Sequence, residues 1–298
     1  MSDIRTVLIG TDLDRDSDAL VSTGVQVARA AGARIHLAFS FAPPIAYLSE
    51  LGAGVNDPIL AQEEQVAREA LAEQARQAGL PENTEGELHG LTVRRGAPHR
   101  MLPDLAAEIG ADLLIVGATG RGRLHRRLGS TADRVLRRAH CPVLVVRGGL
   151  VVPPKKVLAP VDLSPLSAEA FGRGLGVLSG LGAGTEVQSE VEALFVLSVI
   201  ERQTSFELTP EQIDRIAAEK LERFVEAHAG SGQVERKVRT GNTREEIFAE
   251  IAGYRPDLIL LGTHGLGGFD RFAIGSVAAD VTREAPCSVL VVPPEAQS

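Results

Sequence analysis

The sequence predicts an α/β protein of two tandem doubly wound domains. Each is a five-stranded parallel sheet, taken in the order 3-2-1-4-5, with helices on both faces. Three observations carry this: an internal repeat of about 145 residues, alternation of short apolar runs with helical stretches, and runs apolar at consecutive positions.

The repeat is read from matched segments in constant order. "VLIGTDLD" at Val7–Asp14 parallels "VLAPVDLS" at Val157–Ser164, an offset of 150. "RRGAPHRML" parallels "RTGNTREEI", and "ADLLIVGATG" parallels "PDLILLGTHG", both at 145. "GSTADRVLRRAHCPVLVV" parallels "GSVAADVTREAPCSVLVV" at 146. Small indels in a constant order mark a tandem duplication, with domains at 1–148 and 155–298 and "GGLVVPPKK" (Gly148–Lys156) as the linker.

The second copy shows the alternation best. "KKVLAPVD" is a buried strand; Ser164 and Pro165 then cap and open a helix. "ALFVLSVI" is the second strand. The stretch "TPEQIDRIAAEKLERFVEAHAG" starts on Thr209 and Pro210, repeats its apolar residues at three and four, and stops near Gly230. "VERKVR", "DLILLGT" and "SVLVVP" are three more strands, separated by helices "TREEIFAEIAGY" and "SVAADVTREA". The first helix fits least well, because Gly172, Gly174, Gly176, Gly180, Gly182 and Gly184 crowd it and each helical glycine costs about 1 kcal/mol. These glycines precede a strand, so they are not a dinucleotide fingerprint; they predict a poorly formed or closely packed helix ending in a loop.

Composition narrows the function. The chain has 298 residues and a net charge of −8, which argues against a broad nucleic-acid-binding face. Residues 1–150 contain 17 Arg and no Lys against 18 acids, whereas residues 151–298 hold 14 basic and 21 acidic residues. No apolar run approaches a membrane span, and the start lacks a signal-peptide layout, so the expected location is cytoplasmic. Cys141 and Cys287 make no disulfide framework; their equivalent places before the fifth strand suggest small buried residues. No metal-ligand spacing is present, and no metal site is expected.

In a doubly wound sheet the ligand crevice lies beyond the carboxyl ends of strands one and four. In the second copy these end at Asp162 and Gly262. "GTHGLGGFDRFAIGS" (Gly262–Ser276) follows strand four and reaches Gly275 and Ser276 at a helix start, where unpaired N–H groups and the helix dipole favour an anion. Gly262 leaves room for a ligand across the strand, and Gly265 permits a sharp turn. Ser276 adds a hydroxyl, and Asp162 can accept hydrogen bonds from an amine or a ribose hydroxyl. Turn formation by Gly262 and Gly265, and capping by Ser276 and Asp162, are the competing roles.

This arrangement resembles the universal stress protein family in its tandem form. The signature Gly-x2-Gly-x9-Gly-(Ser/Thr) is met in full by Gly262, Gly265, Gly275 and Ser276, and the similarity covers nearly the whole chain. The resemblance implies ATP as ligand, with magnesium as its companion ion, and a regulatory stress-response role. It implies that Pro160, Val161 and Asp162 face adenosine and that Val199 meets adenine through its backbone. Leu261, Gly262, Gly265, Gly275, Ser276 and Val277 would surround ribose and phosphates. It also implies pairing of the fifth-strand edges, "PVLVV" with "SVLVV", into an intrachain pseudo-dimer, which closes two exposed edges. A homodimer of the tandem chain stays open.

The first copy departs from the pattern. Thr11, Asp12, Val116, Gly117, Gly120, Gly129, Ser130 and Thr131 are its counterparts, but eight residues, not nine, separate Gly120 from Gly129. Removing one residue from a helical turn rotates what precedes it by about 100°. The short loop carries Arg121, Arg123, His125, Arg126 and Arg127, and Ser40 stands where Val199 does. Two outcomes remain open: anion binding assisted by arginine, or a degenerate site.

Other chemistries fare worse. A P-loop needs a lysine after its glycines, and a phospho-receiver needs one at the end of strand five, where this chain has Arg147 and Pro293. Hydrolysis would rest on His264, whose counterpart is Thr119, with no second catalytic group; slow nucleotide hydrolysis is the upper bound. An interaction scaffold that binds no nucleotide is the other alternative.

Overall fold

Among the residues described by the computed structural model (4–41, 58–80, 88–118, 128–182, 189–198, 208–230, 233–263 and 274–295) there are ten strands and eight helices. The first half runs β1 (Thr6–Thr11), α1 (Arg15–Ala31), β2 (Arg34–Phe41), α2 (Pro58–Gln77), β3 (Leu88–Arg95), α3 (Pro98–Glu108), β4 (Leu113–Gly117), α4 (Ser130–Leu136) and β5 (Val143–Val146). The second half repeats it as β6 (Lys156–Val161), α5 (Pro165–Leu181), β7 (Glu190–Ser198), α6 (Pro210–His228), β8 (Val234–Gly241), α7 (Thr243–Tyr254), β9 (Leu258–Gly262), α8 (Ser276–Glu284) and β10 (Ser288–Val292).

All ten strands join one sheet in the order β3-β2-β1-β4-β5-β10-β9-β6-β7-β8. Each half therefore has the order 3-2-1-4-5. Pairing is parallel within each half and antiparallel where β5 meets β10, with Val143 opposite Val291, Leu144 opposite Leu290 and Val145 opposite Val289. The two fifth-strand edges thus cover each other, and the remaining free edges are β3 and β8. Arg147, directly after β5, reaches across the boundary to the carbonyls of Thr282 and Arg283 at the end of α8, where a cation satisfies unpaired acceptors.

Successive strand residues point to opposite faces, so consecutive apolar residues feed two cores. Val7 and Ile9 enter one layer with α1, α2, α5 and α6, while Leu8 enters the other with α3, α4, α7 and α8. Each layer runs through both halves. The start of strand four is pinned to strand one by the same device twice. Asp112 Oδ2 accepts from the amides of Arg5 and Thr6, and Asp257 Oδ2 from those of Lys155 and Lys156, at 2.8–2.9 Å. This sets the register that places the carboxyl ends of these strands side by side.

Helix α5 is continuous despite its glycines. Ser164 caps it by accepting from the amide of Ser167 at 3.1 Å. Gly174 has a packing reason: a Cβ there would stand 2.2 Å from Leu260 Cδ1. The closely packed expectation holds, and the poorly formed one does not; Gly184 lies outside the described residues. Strand β7 begins at Glu190, three residues before the run that predicted it. The polar residues Glu190 and Glu192 hid its start, yet Glu192 is buried beside Lys237.

That burial builds an ionic cluster at the β7–β8–α7 junction. Glu250, buried, accepts from Lys237 Nζ at 2.8 Å and Arg239 Nε at 2.6 Å. Despite burial, the two cations hold its carboxyl below the usual carboxylate range, whereas burial and the nearby Glu250 push Glu192 above it. Glu250→Gln is therefore expected to lower stability at neutral pH by about 2 kcal/mol, read by urea denaturation, with Glu192→Gln near neutral. The signs differ. The stability from Glu250 is present above its ordinary value and fades as pH falls through its depressed one, while the penalty from Glu192 appears as pH rises above its ordinary value.

Candidate functional site

The crevice forms where β6 and β9 part. Their bridged pairs are Val157 with Leu258 and Leu158 with Ile259; β6 then continues to Val161 and β9 to Gly262 without further bridging. Pro160 follows these pairs and has no N–H with which to extend the ladder. In the first half the bridged pairs of β1 and β4 likewise stop at Ile9 and Ile115, short of Thr11 and Gly117.

Asp162 and Asp12 occupy identical turns. Asp162 Oδ1 accepts from the amide of Ser164 at 3.0 Å, and Asp12 Oδ1 from that of Asp14 at 3.2 Å. The intervening residues, Leu163 and Leu13, are held at φ 62° and 58°. Left-handed backbone costs a leucine about 1–3 kcal/mol and persists only when its surroundings impose it. Here the aspartate turn does so, aided by Ser167, whose Oγ accepts from the Asp162 amide at 3.3 Å. Asp162 is thus not the helix cap; Ser164 is. Sequence reasoning passed over Leu163 and Ser167, although Ser17 stands at the same offset of 150 in the first copy.

The other side of the crevice is the start of α8. Its N-cap is Gly275, not Ser276, and no side chain among the described residues caps it, in contrast to α5, α6 and α7, which are capped by Ser164, Thr209 and Asn242. The Gly275 amide donates to the Thr263 carbonyl at 2.8 Å, closing the loop on the end of β9. Gly275 and Ser276 are exposed, and among the described residues no side chain caps the first turn. Gly275 has φ −54° and ψ 147°, open to any residue, and among the described residues the nearest atom to a Cβ there would be Thr263 O at 3.5 Å.

The first copy reaches the same anchor. The Gly129 amide donates to the Ala118 carbonyl at 2.7 Å, and Gly129 likewise caps α4 without a side chain. The missing residue is therefore absorbed within 119–127, which lies outside the described residues, as does 264–273. Gly120, Gly265, His264 and the loop arginines fall in these segments, and Val199 is also outside. Two differences are visible. Gly129 is buried where Gly275 is exposed, and α4 spans seven residues against nine in α8.

Several expected contacts are narrowed by burial. Val161, Leu261 and Val116 place their side chains in the core, so only their backbones can meet a ligand. Thr11 is buried and bonded to Ser17 and Gln74, and Ser40 Oγ donates to the Gly96 carbonyl at 2.6 Å. Pro160, Asp162, Gly262 and Val277 are half-buried, as are Asp12, Gly117 and Thr131. Ser130 is exposed. Cys141 and Cys287 are pushed up to about 11 by burial and remain thiols at neutral pH. Among the described residues no group of three or more metal-type side chains gathers, and no helix is long and apolar enough to cross a membrane.

A single sheet of two doubly wound halves, each with an aspartate turn after its first strand and a glycine N-cap on the helix after its fourth, defines a tandem α/β protein with two switch-point crevices. Residues 3–147 and 154–293 each match the Universal stress protein family, and the chain belongs to that family. A universal stress protein of Mycolicibacterium smegmatis is 30% identical over 300 residues, covering 97% of both chains. Among solved structures, a universal stress protein from Archaeoglobus fulgidus superposes with TM-score 0.64 at 18% identity, covering 98% of this chain and 97% of that one. A functionally unknown protein from Pseudomonas aeruginosa superposes with TM-score 0.63 at 19% identity, over 98% and 93%. These structural likenesses concern the fold. Family membership gives the coarse function, a role in stress response.

Proposed function

We propose that the chain is a cytoplasmic adenine-nucleotide-binding regulator, with ATP held at the second-half crevice and no catalytic role beyond slow hydrolysis. The observation that carries this is the exposed, glycine-capped start of α8, anchored by the Gly275–Thr263 bond beside the parted ends of β6 and β9. The residues suit the ligand. Backbone donors at Ser276 and Val277 complement phosphate, and Asp162 complements ribose or amine. Magnesium would arrive on the phosphates. The buried Gly129 and the seven-residue α4 favour a weaker first site.

Denaturing the purified chain and identifying released small molecules by mass spectrometry tests this. An adenosine phosphate is expected; a preparation that releases none and binds no added ATP would be the scaffold alternative. Asp162→Asn separates ligand from fold, because an amide oxygen still closes the turn on Ser164. Its melting temperature is expected to stay within a degree or so of the parent, with ATP affinity falling about tenfold or more by calorimetry.

A further inference from the structure

A groove of about 600 Å³ opens between the end of β3, the start of α3 and α4 in the first half. Its walls include Arg94, Arg95, His99, Arg100 and Arg134, with Asp104 the one acid among the described lining residues. Among the described residues Asp12, Gly117 and Gly129 do not line it, but Gly96 does and its carbonyl accepts from Ser40 Oγ, so the groove borders the first-half crevice. Arg94 is held by Glu108 through two 2.8 Å bonds. Arg100, Arg134 and the nearby Arg138 make no ion pair among the described residues, and all three are exposed. His99 feels the result: burial, followed by the fields of Arg134, Arg100 and Arg138, holds it below the ordinary histidine range.

The duplication supplies an internal comparison. At the matched places of the second half, Arg100 is replaced by Glu245, Met101 by Glu246, Arg134 by Asp280 and Arg138 by Glu284. There the remaining cations are neutralised. Arg239 pairs with Glu246 and Glu250, and Arg244 with Asp280 and Glu284. One fold thus carries a self-neutralised surface in one half and a concave, cationic groove in the other. The groove's volume suits a metabolite-sized ligand. A long polyanion would leave it for a chain of net charge −8.

We propose that this groove, bordering the first-half crevice, is a further binding site for a small ligand carrying two or more phosphate groups, gripped by Arg100 and Arg134. Guanidinium forks match phosphate oxygens in pairs, and unpaired arginines on facing helices keep both forks available.

Inorganic tripolyphosphate is the probe, titrated into the full chain at low salt and followed by calorimetry. In the Gly275→Val chain, where the α8 cradle is blocked, one saturable site is expected, at least about tenfold tighter than for butane-1,2,3,4-tetracarboxylate of similar charge. Arg100→Glu with Arg134→Asp installs the residues the second half already tolerates, and is expected to weaken binding at least about tenfold. Arg215→Glu with Arg223→Asp, at exposed positions of α6 in the second half, makes the same charge change away from the groove and should retain binding. Gly275→Val should also retain it, which separates this site from the α8 cradle. No saturable binding, equal binding of the tetracarboxylate, or equal loss in the α6 pair would overturn the proposal.

Discussion

Gly275→Val is expected to lower ATP affinity by roughly 100-fold, or about 2.8 kcal/mol, while leaving the fold in place. The backbone at Gly275 is extended and open to any residue, so the substitution strains no dihedral angle. Nor do described neighbours object, since Thr263 O would lie 3.5 Å from the new Cβ. A cost of about 1 kcal/mol is expected from replacing glycine by valine at an N-cap. The two valine methyls, however, would occupy the space directly before the first-turn N–H groups of α8, where phosphate oxygens must approach. Calorimetry together with thermal melting distinguishes the two effects: affinity should collapse and the melting temperature should barely move. Gly275→Ala should fall between parent and valine in affinity.

The second large effect concerns stability and changes sign within two residues of one helix. Gly174→Val is expected to destabilise by about 3 kcal/mol, because its Cβ would stand 2.2 Å from Leu260 Cδ1 and 2.7 Å from Cδ2. Leu260 is only 2% exposed and cannot swing into solvent. Gly172→Ala is expected to stabilise by about 0.5–1 kcal/mol, since its Cβ would meet nothing closer than His228 O at 3.6 Å and alanine gains helix propensity. Urea denaturation of the two variants reads the contrast. Trimming the clash, as in Gly174→Ala with Leu260→Val, should cost less than the two single changes summed, which is the mark of direct contact.

Most of the architecture was legible because strand and helix periods, caps and the repeat agree. Thr209 with Gln212 forms the capping box that opens α6, and Asn242 caps α7 where the sequence turns from strand to helix. What escaped depended on contacts distant in sequence. The glycines of α5 looked like a weak helix until Leu260 supplied the reason for Gly174. The start of β7 was hidden by the exposed Glu190 and by Glu192, whose burial makes sense only beside Lys237 of the neighbouring strand. The cationic groove joins Arg94–Arg100 to Arg134, residues unremarkable along the chain that meet between two helices.

The crevice was half legible. Asp162 and Gly262 follow the same end of the parallel strands β6 and β9, and Gly275 returns to it through Thr263, whereas Gly265 lies outside the described residues. The strained Leu163 was not legible, since a leucine gives no hint of left-handed backbone. The one-residue deletion in the first loop also reads differently against the structure. Gly129 and Gly275 return to the same carbonyl anchor, so the inequality of the two halves now rests on the exposure of these glycines and the length of the helices they cap.

Titration of the full chain with ATP in a calorimeter decides whether the second-half crevice is the nucleotide site. One tight site per chain is expected, lost in Gly275→Val and kept in Gly129→Val, with any second site weaker. Two equal sites, or a tight site that survives Gly275→Val, would contradict that assignment.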